Sequence, residues 1–348
     1  MERNKLISVL QVFGILLVVL GHCQSGVSPK PLWYDWIYSF HMPLFFFISG
    51  YLLKLTNEKK GCGVGAQPWW GTQGWIWKKT KRLLVPYLVI STFAYLPKVL
   101  MSRYALRPVD LSWNAYLEML AYPVQNVIGF FWFLPTLFVV FALVMAAGRC
   151  AGAKRMSWLY YLLLPFAFLL SLYNPLLELN DYVFSVFNMS GAVTHLFYFA
   201  LGYYVRAWHL IRENASQVGL KVLLTFAVSV AMVVAKPDGL GDIGERVWDI
   251  LAAVNGIIMS VQLCLLYVQR DRHFLDFLFG ASYAIYLFSW FPQTASQQVF
   301  VSLTGSPRWV GSVLAFFTGV YLPWLIYKWI RCHKEGRVGK VIAFLSGM

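Results

Sequence analysis

Long apolar runs alternate with short polar links along the whole chain, and the runs have the length that a bilayer demands. About 20 mostly apolar residues are needed to cross about 30 Å of hydrocarbon. Ten stretches meet that pattern: 6–23, 35–54, 83–101, 130–148, 158–174, 191–208, 217–235, 247–268, 274–292 and 309–329. The fold class predicted is all-α, a polytopic transmembrane helical bundle of about ten spans with cytoplasmic N- and C-termini. Residues 1–348 form a single integral membrane domain, with no internal repeat and no soluble domain. Residues 175–190 read as a re-entrant or interfacial piece, and 111–129 as an interfacial helix too polar to span.

Composition agrees with this pattern. Hydrophobic residues make up 59% and charged residues only 13%, against roughly 25% charged in a soluble domain, so a water-soluble core would lack its charged skin. The net charge of +14 would raise nucleic acid as a partner for a soluble protein, but here it is mostly topology. Cytoplasmic loops retain Lys and Arg. With the N-terminus inside, 22 of the 29 cations and six carboxylates fall inside, and seven cations and nine carboxylates outside. The inner side then carries +16 and the outer side −2, so no nucleic acid is called for and membrane lipids are the first partner. The expected location is a multi-pass position in the cell's inner or plasma membrane, with the first span a retained helix rather than a cleaved signal. Of five cysteines only Cys23 lies near the outer face, and no Cys-x-x-Cys pattern occurs. Neither a structural disulfide nor a metal site is therefore expected.

Ionisable groups inside spans are expensive and are the first candidates for chemistry. His22 closes the first span and His41 lies early in the second, both in the outer half; the short link between the spans allows the two imidazoles to meet. Histidine titrates near neutrality and suits a general base acting on a hydroxyl, although an interhelical hydrogen bond alone also accounts for a lone intramembrane His. Asp35 either orients one of these rings or is a wet loop carboxylate. Gln11 precedes His22 by eleven residues, which returns it to nearly the same helix face about 16 Å deeper. Pro43 and Ser49-Gly50 loosen the second helix or let another backbone approach it closely. Before the third span, Lys78-Lys79-Thr80-Lys81-Arg82 carries four cations in five residues. Two readings fit that run: a site for a phosphate-bearing polyanion, or an anchor for anionic lipid headgroups. No glycine-rich phosphate loop accompanies it. His195, Asn188 and Asp181 lie around the outer end of the sixth span, where packing or an acceptor site accounts for them.

These residues carry a resemblance. The chain resembles the acyltransferase 3 family of integral membrane acyltransferases over nearly its whole length. The likeness rests on Gly14 to His22 in the first helix, Phe40 to Leu52 in the second, and the basic run leading into Leu83-Leu84-Val85-Pro86-Tyr87. It continues in Phe131-Trp132-Phe133-Leu134-Pro135, Phe199-Ala200-Leu201-Gly202-Tyr203-Tyr204 and Ser282-Tyr283-Ala284-Ile285-Tyr286-Leu287. The resemblance implies O-acyl transfer from acyl-CoA, commonly acetyl-CoA, as a co-substrate rather than a permanently bound cofactor. The acceptor it implies is a hydroxyl of an envelope glycan or lipid. His22 takes the place of the family's first-helix histidine. The family's basic residue eleven positions earlier is here Gln11, and a histidine common after the span-nine Tyr-Leu is here replaced by Phe288-Ser289-Trp290; both are departures.

On this reading the CoA nucleotide stops at Lys78, Lys79, Lys81 and Arg82, and its pantetheine arm rises past Gln11. His22 then acts as general base, or transiently accepts the acyl group itself. His41, Trp132 and Tyr286 are candidate donors to the oxyanion. Two alternatives stay open: a transporter or flippase for a lipid-linked or small polar substrate, and a catalytically inactive relative that keeps donor binding.

Overall fold

In hydrocarbon each backbone N–H and C=O must find its partner within its own segment, and the apolar stretches accordingly fold as helices. The computed structural model describes residues 4–24, 29–64, 67–72, 74–100, 109–150, 152–173, 185–207, 209–211 and 216–348. Among the described residues there is no strand. Residues 175–184, which hold most of the expected re-entrant piece together with Asp181, lie outside them.

The helices are α1 Lys5–His22, α2 Leu32–Lys60, α3 Trp75–Lys79, α4 Val85–Leu100, α5 Trp113–Ala121, α6 Phe133–Cys150, α7 Gly152–Tyr173, α8 Met189–Ala207, α9 Val218–Val234 and α10 Gly241–Gln269. They continue with α11 Ser282–Phe288, α12 Trp290–Thr294, α13 Val301–Thr304, α14 Arg308–Cys332 and α15 Arg337–Leu345. Five helical stretches are long and apolar enough to cross a membrane: α1, α2, Trp75–Leu100, α10 and α14. Shorter apolar helices occupy Phe133–Arg149, Leu163–Tyr173 and Val218–Val234. The expected interfacial segment contains α5, a nine-residue helix with Trp113 and Leu117 exposed.

The ninth expected span, 274–292, is corrected. Gly280 adopts φ +84, a left-handed turn that ends the 3-10 segment Asp276–Leu278 and resets the chain direction. Helix begins only at Ser282, and it runs through a π-helical segment, Ala295–Phe300, to Thr304.

Two clusters of contacts fix the bundle's ends. At the end where α1 begins, Lys5 bonds Asp271 at 3.1 Å, and Arg206 pairs with Glu58 at 2.8 Å. At the end where α1 finishes, Lys236 pairs with Asp249 at 3.2 Å. Between these ends α2 and α8 make the closest crossing. A Cβ at Gly50 would overlap the Phe199 carbonyl oxygen, and one at Gly202 the Phe47 carbonyl oxygen. The close approach anticipated at Ser49-Gly50 therefore has its partner in α8. The contact brings His41 of α2 and His195 of α8 toward one space.

Candidate active site

Where α1 finishes, the bundle encloses a cavity of about 1460 Å³ lined by His22, His41 and His195. A helix's final turn leaves carbonyls without intrahelical partners; at the end of α1 the His22 and Cys23 carbonyls are bound from outside, and so is that of Val19, which also accepts from the Cys23 amide. The Gln293 amide donates to the Val19 carbonyl at 2.8 Å, Gln297 to the His22 carbonyl at 3.2 Å, and the Ser312 hydroxyl to the Cys23 carbonyl at 2.8 Å. These three side chains set the backbone position of His22. Its ring lies 4.6 Å from the Phe130 ring and 6.3 Å from Tyr38. Neither ring nitrogen of His22 has a hydrogen-bond partner among the described residues, so both are available to the cavity.

The other two histidines are tied to their own helices. His41 is buried with Nδ1 2.9 Å from the Ile37 carbonyl oxygen, and His195 holds Nδ1 2.7 Å from that of Gly191. A carbonyl only accepts, so in each neutral ring Nδ1 bears the hydrogen and Nε2 the lone pair. A neutral His41 therefore cannot donate from Nε2 to an oxyanion, which revises its expected part there; its free nitrogen accepts. His195, an incidental candidate by sequence, stacks on Phe46 at 4.5 Å and lies 5.4 Å from the Trp132 ring.

Trp132 lines the cavity, and its indole N–H has no partner among the described residues, which leaves it a free donor. Asp35 is exposed on the cavity wall with Lys30. The Lys30 ammonium sits 4.5 Å from the centre of the Tyr34 ring. Loss of hydration holds that ammonium below its ordinary pKa, while Asp35 pulls it back up. Tyr286 does not face the cavity as expected. Its hydroxyl donates to the Phe130 carbonyl at 2.7 Å, because the turn before α6 presents that carbonyl directly to it. Tyr286 thus supports the phenylalanine that packs on His22. The same turn is tied by Asn126, which donates to Ser91 at 2.8 Å and accepts from the Ile128 amide at 2.9 Å.

Gln11 is partly buried in α1, about 16 Å below His22 by helix rise, and is not part of the cavity wall. The basic run lies at the opposite end of the bundle, where α3 passes into a π-helical turn, Thr80–Leu84. Such turns widen a helix locally and often accompany functional sites. Lys79 stands 3.2 Å from the Phe141 ring centre, Lys81 5.0 Å from that of Phe344, and the Arg82 guanidinium 5.4 Å from that of Tyr283. The Tyr283 hydroxyl donates to the Arg82 carbonyl. None of Lys78, Lys79, Lys81 and Arg82 forms an ion pair among the described residues. Cations gathered this closely repel one another and attract anions, whether a polyanion or lipid headgroups.

The residues that sequence reasoning passed over are Gln293, Gln297 and Ser312. Gln293 and Gln297, four positions apart within the polar stretch Gln293 to Gln298, were the available signal, since that spacing places both amides on one helix face.

Comparison with known proteins finds no match among the curated proteins and none among the solved structures. A family model described as an acyltransferase domain, Acyl_transf_3, matches residues 4–328. That stretch takes in the cavity, its three histidines and the basic run. With a match over nearly its whole length and helices fit to cross a bilayer, the chain belongs to the acyltransferase 3 family of integral membrane acyltransferases.

Proposed function

We propose that the protein transfers an acyl group, acetyl in the simplest case, from acyl-CoA at the cytoplasmic face to a hydroxyl of an envelope glycan or lipid held in the cavity. The orientation is that of the ten-span reading, with both termini cytoplasmic, so the basic run faces the cytoplasm and the cavity faces outward. The observation that carries the proposal is the imidazole of His22 on the cavity wall, without a hydrogen bond among the described residues and held in place by three hydrogen bonds to the end of its helix.

The chemistry follows from what each group can do. The phosphates of CoA cannot enter hydrocarbon and stop at Lys78, Lys79, Lys81 and Arg82, while the neutral pantetheine arm runs between helices past Gln11, whose amide can donate to its carbonyls. One His22 nitrogen takes the acceptor's hydroxyl proton as that oxygen attacks the thioester carbonyl. The Trp132 indole N–H is the free donor for the developing oxyanion. Collapse breaks the C–S bond, and the imidazolium returns its proton to the departing CoA thiolate. A two-step route, with the acyl group first on His22 and then on the acceptor oxygen, uses the same groups. His41, with its Nε2 lone pair, and Asp35 at the wall line the side on which the acceptor sits.

The test is turnover. Purified protein in proteoliposomes, supplied with acetyl-CoA labelled in the acetyl group, should cleave the thioester slowly alone and faster with envelope carbohydrate, which becomes labelled. Passage of a polar substrate across the membrane with no thioester cleavage would instead establish the transporter reading.

A further inference from the structure

The last helix, α15, has two unlike sides. It lies against α4 and α14, and its buried residues are Gly339 and Ala343, with Ile342 and Leu345 half-buried beside them. The other side is open. Val338 is 65% exposed, Val341 56% and Phe344 36%, three apolar side chains at a spacing of three, which lines them along the helix as a stripe. Arg337 and Lys340 are exposed next to that stripe. The helix also reaches the basic run. The Phe344 ring centre is 5.0 Å from the Lys81 ammonium and 6.4 Å from the ring centre of Trp77. Just past the helix, a Cβ at Gly347 would meet the carbonyl oxygens of Lys81 and Arg82, so the end of the chain rests directly on that backbone.

An apolar stripe left in water forfeits the free energy of burial, so the open side calls for a cover. Three observations say what the cover is. First, α15 begins only five residues after Cys332, the end of α14, which is long and apolar enough to cross a bilayer. Second, Trp77 and Trp329 are exposed at the same end of the bundle, and tryptophan collects at the level of the lipid headgroups. Third, Lys328, Arg331, Lys334, Arg337 and Lys340 are all exposed, while Glu335 is the only acidic side chain from 328 to 348. None of the five cations forms an ion pair among the described residues. An apolar stripe that dips among acyl chains, with Lys and Arg stems reaching back to phosphates, is the pattern of a helix lying in an anionic membrane surface.

We infer that α15 is an interfacial helix whose open side binds the anionic lipid surface at this end of the bundle. Through Phe344 and Gly347 it also holds the basic run beside the headgroups. The inference requires only that the chain is embedded in a membrane, and it stands apart from the acyl-transfer reading.

The test puts a nitrobenzoxadiazole dye on the full chain, reconstituted in vesicles. Val341→Cys and, as a reference in the exposed turn before α15, Glu335→Cys are labelled in protein whose Cys62, Cys150 and Cys332 are changed to Ser; the same protein without a new cysteine gives the background. In vesicles of equal parts phosphatidylglycerol and phosphatidylcholine, the dye at 341 should be at least about threefold less accessible to acrylamide than the dye at 335. It should also be quenched by lipids spin-labelled near the headgroup. In phosphatidylcholine alone the protection should weaken, and salt should weaken it in the mixed vesicles. Each cation at an anionic surface contributes about fivefold, so combining Arg337→Gln with Lys340→Gln should lower the docked-to-free ratio in mixed vesicles by about thirtyfold. Both side chains are exposed, so their loss leaves the fold intact. Equal acrylamide access at the two positions overturns the inference. So does protection without quenching by lipid spin labels, which means that protein covers the face, and so does equal protection in the two kinds of vesicle.

Discussion

The crossing of α2 and α8 makes a quantitative prediction. A Cβ at Gly50 meets the carbonyl oxygen of Phe199, and one at Gly202 meets that of Phe47. A flexible side-chain end could swing away, but a backbone carbonyl within a helix cannot, so either substitution forces the two helices apart. Overpacking costs about 1–3 kcal/mol, and a backbone obstacle places each site in the upper half of that range. Replacing a helical glycine by alanine returns about 1 kcal/mol. Gly50→Ala and Gly202→Ala should therefore each lose about 1–2 kcal/mol. One separation relieves both clashes while the helix gain accrues at both sites, so the double variant should lose only about 0–1 kcal/mol, less than either single one, a coupling of about 2–3 kcal/mol. Gly219→Ala in α9 is the control: a Cβ there meets nothing within 4 Å, and it should be neutral or stabilising by up to about 1 kcal/mol. Reversible unfolding in mixed micelles, arranged as a double-mutant cycle, reads all four. Acyl transfer should fall with the same variants, because the two helices carry His41 and His195. Strict additivity, or stabilisation by Gly50→Ala, would refute the close crossing.

Three further outcomes follow from other parts of the molecule. Replacing both Lys78 and Arg82 by Gln should raise KM for acyl-CoA by about thirtyfold, at about 1 kcal/mol per charge, with kcat little changed; an unchanged KM would return the run to lipid anchoring. Cys332 is exposed at the end of α14, and an impermeant maleimide should label it in permeabilised cells but not in intact ones; labelling of intact cells contradicts cytoplasmic termini. Asp276 and Asp271 both bond the His273 ring and raise its pKa above the ordinary 6.5. That contribution to stability is complete below the unfolded value and is lost as pH rises through the higher folded value. A ring titration by NMR that finds the folded pKa at or below 6.5 contradicts the pairing.

Helix positions were legible because length and apolarity are properties of a local stretch, and the helices fall on the predicted runs except at the ninth. That one moved because a single positive φ at Gly280 overrides the hydropathy of its neighbours. His22 and His41 were legible as a pair, since two consecutive spans with a short link must return to the same face. What each ring does was not legible: Ile37 ties His41 through a bond within its helix, and the absence of any such bond at His22 depends on tertiary packing. Tyr286 shows the same limit, its helix correctly read and its hydroxyl directed to Phe130 by a turn that no periodicity predicts. His195 becomes a cavity residue only because Gly50 and Gly202 let α8 approach α2 so closely.

The central claim is that His22 handles the proton or the acyl group in the transfer. The most direct measurement is single-turnover cleavage and transfer of labelled acetyl-CoA by reconstituted His22→Ala protein, with its unfolding followed in parallel. The ring has no hydrogen bond to lose among the described residues, so stability should stay within about 1 kcal/mol of wild type, while turnover should fall by at least about a hundredfold. Turnover within about threefold of wild type in a folded His22→Ala protein would contradict the account.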